Sequence, residues 1–155
     1  MYTLAELRYD AAIEPQSSTD TAFVATPLDT RLNRLREVVC IIQFGAIGAA
    51  DVTTTALQES DTTSAYTTIT GLTATVTATD DNKVCAFFVN MANPRKRYLI
   101  PAVDPGNAAT LVSSLFVSLP DAGSPVSAAT AGSYCAAGTR TQGLFAWKFD
   151  TTGPQ

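Results

Sequence analysis

The chain contains no histidine. That omission removes the Ser-His-Asp and Cys-His arrangements and the commonest metal ligand together. Cysteine is scarce too: three residues, an odd and widely spaced set that is neither a disulfide framework nor a zinc pattern. Cys40 and Cys85 lie in the apolar runs Val38-Val-Cys-Ile-Ile42 and Val84-Cys-Ala-Phe-Phe88 and read as small core residues, with a bridge between them the less favoured alternative. Cys135 falls in a small-residue loop, and no neighbour of the three is suited to activate a thiolate. Charged residues make up only 15% of the chain and the net charge is −4, which argues against general nucleic-acid binding. No apolar run approaches the roughly 20 residues of a membrane-spanning helix. The N-terminal stretch lacks the charged-then-apolar layout of a signal peptide, so the expectation is a protein made and kept in a cytoplasm-like compartment until released.

Other chemistry is thin. Gly45 and Gly48 follow a strand-like run, but the third glycine and following helix of a phosphate-cradling loop are missing. Asp80 and Asp81 are adjacent, so their side chains diverge; the stretch Asp80-Asp-Asn82 reads as a plain turn ahead of a calcium loop. Asp51, Glu59, Asp61 and Asp104 sit at strand ends and turns, where carboxylates satisfy local backbone donors. No pair has the spacing argument of a two-carboxylate hydrolase. The expectation is a protein with no catalytic residues and no cofactor or metal.

What the sequence does have is strand pattern. Gly71-Leu-Thr-Ala-Thr-Val-Thr-Ala-Thr79 alternates apolar residues with threonine, placing Leu72, Ala74, Val76 and Ala78 on one face of a half-buried strand. A helix would scatter the same threonines and restrict their β-branched rotamers. Val38 to Phe44 is apolar on both faces and reads as a central, doubly covered strand. Further strands are expected over 52–59, 66–70, 83–90, 97–103 and 111–119. Gly71 would be a bulge or kink, Asp80-Asp-Asn82 a hairpin turn, and Pro101 a mark of a sheet edge or a bulge. In the last strand Leu111, Leu115, Val117 and Leu119 are expected on the buried face, with Ser114 and Ser118 outward.

Many short strands with no helical segment between them imply an all-β fold, an antiparallel β-sandwich of jelly-roll or immunoglobulin-like type. The ends differ from the body. Residues 1–30 form a lead segment: 2–13 a short helix or extended arm, 14–20 a linker, 21–26 a strand stopped by Pro27. Leu28, Leu32 and Leu35 are spaced for one or two helical turns, although the arginines among them would also suit a strand edge. The body is expected over 31–119. Residues 120–155 form a C-terminal loop rich in Ala, Gly, Ser and Thr, and then the run Leu144-Phe-Ala-Trp-Lys-Phe149, either a closing strand or an anchor for a neighbouring subunit.

Six of the ten cationic residues fall in two clusters, Arg31, Arg34 and Arg36, and Arg95, Lys96 and Arg97. The bland reading is solvated charge that keeps an edge strand from aggregating. The functional one is docking onto an acidic protein surface, where arginine forks pair with carboxylates. With Trp147 these six are the candidate partner-binding residues. Nucleic acid is a weaker fit, because no aromatic platform interleaves with the cations.

The middle of the chain, about Leu35 to Leu119, resembles a family of small virion proteins from tailed bacteriophages. The residues that carry the likeness are Val39 to Phe44 with Gly45-Ala-Ile-Gly-Ala-Ala-Asp51, then Leu57-Gln-Glu-Ser-Asp61, Ala78-Thr-Asp-Asp-Asn-Lys83 and Arg97-Tyr-Leu-Ile-Pro-Ala-Val103. The resemblance implies a capsid cement or decoration protein, a β-sandwich on the outside of the head, often a homotrimer, bound to the major capsid protein. It implies a virion location, with no enzymatic activity and no membrane, direct nucleic-acid or small-molecule partner. The competing expectation is a receptor- or carbohydrate-binding β-sandwich of a fibre or spike, with Trp147, Tyr134 and Gln142 as its local candidates. A glycan hydrolase ranks last.

Overall fold

A computed structural model describes residues 7–19, 21–32, 34–48, 54–106, 109–120 and 144–149. Nine strands follow one another: β1 Arg8–Ser18, β2 Leu28–Asp29, β3 Leu35–Ile47, β4 Thr54–Ser60, β5 Thr67–Thr75, β6 Val84–Asn90, β7 Tyr98–Val103, β8 Thr110–Pro120 and β9 Leu144–Phe149. They form a five-stranded sheet of order β1-β8-β3-β6-β9 and a four-stranded sheet of order β2-β7-β4-β5. Apart from β9, which runs parallel to β6, every pairing is antiparallel. The orders 1-8-3-6 and 2-7-4-5 are those of an eight-stranded jelly roll, with β9 added at one edge. Of the two sandwich types the sequence left open, the strand order selects this one.

The core lies between the sheets. On β3, Val38, Cys40, Ile42 and Phe44 are buried, and the register sets Cys40 beside both Phe87 and Phe116. Leu57, Ile69, Leu72, Val76, Leu99 and Val103 meet them from the four-stranded sheet. Ile69 and Leu72 are both buried although three residues apart, because the β4–β5 register slips there: residues 69–72 of β5 stand opposite Leu57 alone, and Gly71 takes φ +83° within that stretch. The expected bulge is therefore present. Val39, Ile41 and Gln43, on the other face of β3, are only half-buried, so that strand is central but not covered equally on both sides.

Several expectations are corrected. Residues 8–18 are the edge strand β1, continuing through the stretch expected as a linker, and Ala12 and Ile13 belong to the core. Residues 21–26 form no strand; Phe23 N donates to Val103 O and Thr26 N to Ala12 O, which straps the segment down. No helix spans Leu28 to Leu35: Leu28 and Leu35 are buried in different sheets, and Leu32, on the turn between them, is 69% exposed. The alternating threonine stretch leaves the sheet at Thr75 and turns into one 3-10 turn at Ala78–Asp80. The turn at residues 80–82 makes no hairpin, because β5 and β6 lie in different sheets; Asn82 does take left-handed backbone, at φ +59°.

On β8 the faces are reversed. Ser114 and Ser118 point into the core beside Phe116, while Leu115, Val117 and Leu119 are half-exposed and Leu111 is 43% exposed. Pairing with β3 decides this, since Cys40 opposite Phe116 commits every even position of β8 to the inside. The leucine count of a single strand could not reveal it. Cys40 and Cys85 are both buried, and no disulfide joins them. Burial, and then the neighbouring Cys85, push the Cys40 thiol well above its ordinary range, so it is chemically quiet.

Candidate functional site: the basic end of the sandwich

In a jelly roll of this order, alternate connections emerge at the same end. Residues 30–34, 61–66 and 91–97 link β2 to β3, β4 to β5 and β6 to β7, and all three emerge together. The two basic clusters, some sixty residues apart in sequence, are thereby brought into contact. Thr30, 7% exposed, donates from both its backbone N (2.9 Å) and its Oγ1 (2.8 Å) to the carbonyl of Arg97. Met91 N donates to the carbonyl of Arg36 at 3.0 Å.

The second cluster is held by the molecule's own carboxylates. Arg97 forks onto Asp29, its Nε 3.0 Å and its Nη2 2.6 Å from Oδ2, and lies over the Tyr98 ring at 4.9 Å. The Arg97 guanidinium holds the Asp29 carboxyl below its ordinary range, and the same pairing raises Arg97. Arg95, its side chain 8% exposed, has Nη1 3.6 Å from Glu59 Oε2. Lys96 donates its backbone N to Glu59 and its Nζ to Thr67 Oγ1, and Arg97 N donates to Asp61. Glu59 and Asp61 thus satisfy backbone donors, but remote ones rather than the local ones expected of them.

Arg31, Arg34 and Arg36 are exposed. Arg34 sits at φ +43°, a left-handed conformation uncommon for a residue other than glycine and worth keeping only where the surroundings impose it. Asp29 Oδ1 accepts from Arg31 N at 3.1 Å, so one carboxylate braces the turn and grips Arg97 at once. The register sets the backbone of Trp147 beside Ala86, in the middle of β6. The side chains of Trp147, Tyr134 and Gln142, and the third cysteine, lie outside the described residues. Sequence reasoning missed Leu32 as a surface residue and Asp29 as the brace; no local pattern marks either, because both depend on which connections share an end.

At the opposite end most of the carboxylate contacts are local, with Asp81 to Ile47 N the longer reach. Asp80 accepts from Thr77 N (2.8 Å) and Oγ1 (2.9 Å) and from Lys83 Nζ (3.1 Å), Asp81 accepts from Ile47 N, and Asp104 from Gly106 N. Burial pushes Asp80 up, but these donors outweigh it and hold its pKa below the ordinary value. Among the described residues no three His, Cys, Asp or Glu side chains converge as a metal site requires.

One concavity lies on the outer face of the four-stranded sheet. Ala56 and Ala102, opposite each other in the β4–β7 register, leave room for a groove of about 400 Å³. Phe23 and Tyr66 form part of its wall, with Gln58, Thr68 and Asp104 as polar lining. Burial, and then Tyr98, raise the Tyr66 phenol, which keeps it a donor. No protein-family model, no curated protein and no solved structure matches the chain.

Proposed function

We propose that this chain is a non-enzymatic structural protein of a bacteriophage head, a cement or decoration subunit bound as a homotrimer to the major capsid protein on the outside of the shell. The observation that carries the reading is the presentation of the exposed Arg31, Arg34 and Arg36 at one end of a jelly roll, on a base braced by the second cluster and its own carboxylates, as a surface for an acidic neighbour. Jelly rolls are common in capsid and lectin domains, and a rigid sandwich suits a part that resists deformation. A standard interface buries about 800 Å² on each partner. A trimer multiplies modest contacts through effective concentration, so adhesion against internal pressure does not need one tight site. Quantifying the chain in purified particles tests the proposal: cement requires copies in a fixed ratio close to that of the shell protein. A chain absent from particles, or present only at a unique site, contradicts it.

The groove beside Tyr66 favours a second reading, a carbohydrate-binding sandwich of a fibre or spike. An aromatic edge with amide, hydroxyl and carboxylate groups around a shallow floor is the equipment such a site needs. Specific glycan-array hits lost on Tyr66→Ala would favour it over cement; an array without hits would count against it.

A further inference from the structure

The turn that joins β2 to β3 combines three features that a merely solvated loop does not need. Its leucine, Leu32, is 69% exposed and is flanked by Arg31 and Arg34, with Arg36 just beyond. Arg34 is held in left-handed backbone, where glycine would be at ease. The base is fixed by Thr30 and Asp29, whose bonds with Arg97 tie it to the residue that leads into β7, and Asp29 also accepts from Arg31 N within the turn. Arginine is enriched at interface hot spots, and an exposed apolar side chain set among arginines gains by desolvation while the charges set orientation.

We propose that residues 30–36 are a docking finger for an acidic amphipathic segment of another protein. Leu32 packs among its apolar side chains, and Arg31, Arg34 and Arg36 pair with its carboxylates. Charge complementarity selects the partner: three exposed arginines on and beside one turn match carboxylates, a local attraction that acts against the chain's net charge of −4. A nucleic acid would use the arginines and leave Leu32 without a role. Arg97 and Asp29 are positioning residues, acting through the turn they hold. The inference rests on the adhesive reading of this end, though not on the partner's being a capsid.

The test is fluorescence anisotropy of the full chain with a labelled helical peptide bearing glutamate on one face and leucine on the other. Comparators are polyglutamate, the same peptide with lysine for glutamate, and duplex DNA. The glutamate–leucine peptide should bind most tightly, and Leu32→Ser should weaken it about tenfold or more without altering the circular dichroism spectrum. Arg34→Gly should weaken binding severalfold while thermal stability holds or rises, a combination that a purely structural arginine would not give. Unchanged affinity in Leu32→Ser, no binding of the peptide, or tighter binding of DNA would each overturn the proposal. Particles that fail to bind a chain still competent for the peptide would refute the capsid reading and leave the finger standing. Particle binding that survives Leu32→Ser alongside peptide failure would refute the finger alone.

Discussion

At the end of the sandwich where β5 hands over to β6, Asp80 bonds a residue three positions away and Asp104 one two positions away, while Asp81 reaches Ile47 N across 34. At the other end, Asp29 reaches Arg97 across 68 positions, and Glu59 reaches Lys96 across 37. The first kind of closure forms as soon as the turn does. The second exists only after both sheets have assembled, because it joins strands from separate parts of the chain. An end stapled in this way can hold a charged surface in fixed geometry, and so the basic end is the one suited to present a finger. At the acidic end Asp80 and Asp104 finish their own loops, and Asp81 ties its turn to the end of β3 without holding any arginine.

The largest effect should come from a change that spares neither end. Phe116 is fully buried where β8, β3 and β1 meet, and Phe116→Ala should cost about 3–5 kcal/mol in chemical denaturation. Hydrogen exchange should then rise at both ends together. Loosening at one end alone would mean that they do not share one core.

Arg95→Met should separate the ends. It leaves Glu59 without its cation near the base of the basic end, and the partly buried setting implies a loss of about 1–3 kcal/mol. Exchange protection should fall in residues 61–66 and 91–97 while the turn at 78–82 keeps its own. Equal loss at the far turn would contradict the local character of that closure.

Asp80→Ala is the reciprocal and smaller change, about 1 kcal/mol, confined to the opposite end. Its folded pKa lies below the ordinary 3.8, so the charged form stabilises the fold above that value. The benefit fades as pH falls through the folded pKa. The gap between wild type and Asp80→Ala should therefore be full at neutral pH and close in strong acid. A gap that persists unchanged at low pH would show that packing, not the carboxylate, holds this turn.

The same contrast explains what was legible in the sequence. Strand periodicity gave β4, β6, β7 and β8 nearly to their ends and only the middle of β3, and turn chemistry gave Gly71, Asn82 and Asp104. Pro101 was rightly placed at an edge, because the two-residue β2 stops before it and leaves β7 paired only with β4 there. Failures occurred where distant pairing decides. The even face of β8 is inside because Phe116 meets Cys40, although the odd face has more leucine. Leu28 and Leu35 have helical spacing yet enter different sheets, since the turn between them must cross the sandwich. The six cations were picked out as candidates, but their division into a braced trio and an exposed trio depends on Asp29, Glu59 and Asp61 arriving from other strands.

A reconstruction of the intact phage head at side-chain resolution bears most directly on the central proposal. The account predicts nine-stranded jelly rolls on the outer shell, in trimers, with the turn at 30–36 against acidic capsid protein and the turn at 78–82 away from that contact. Jelly rolls whose basic end faces bulk solvent, or a shell without this chain, would contradict it.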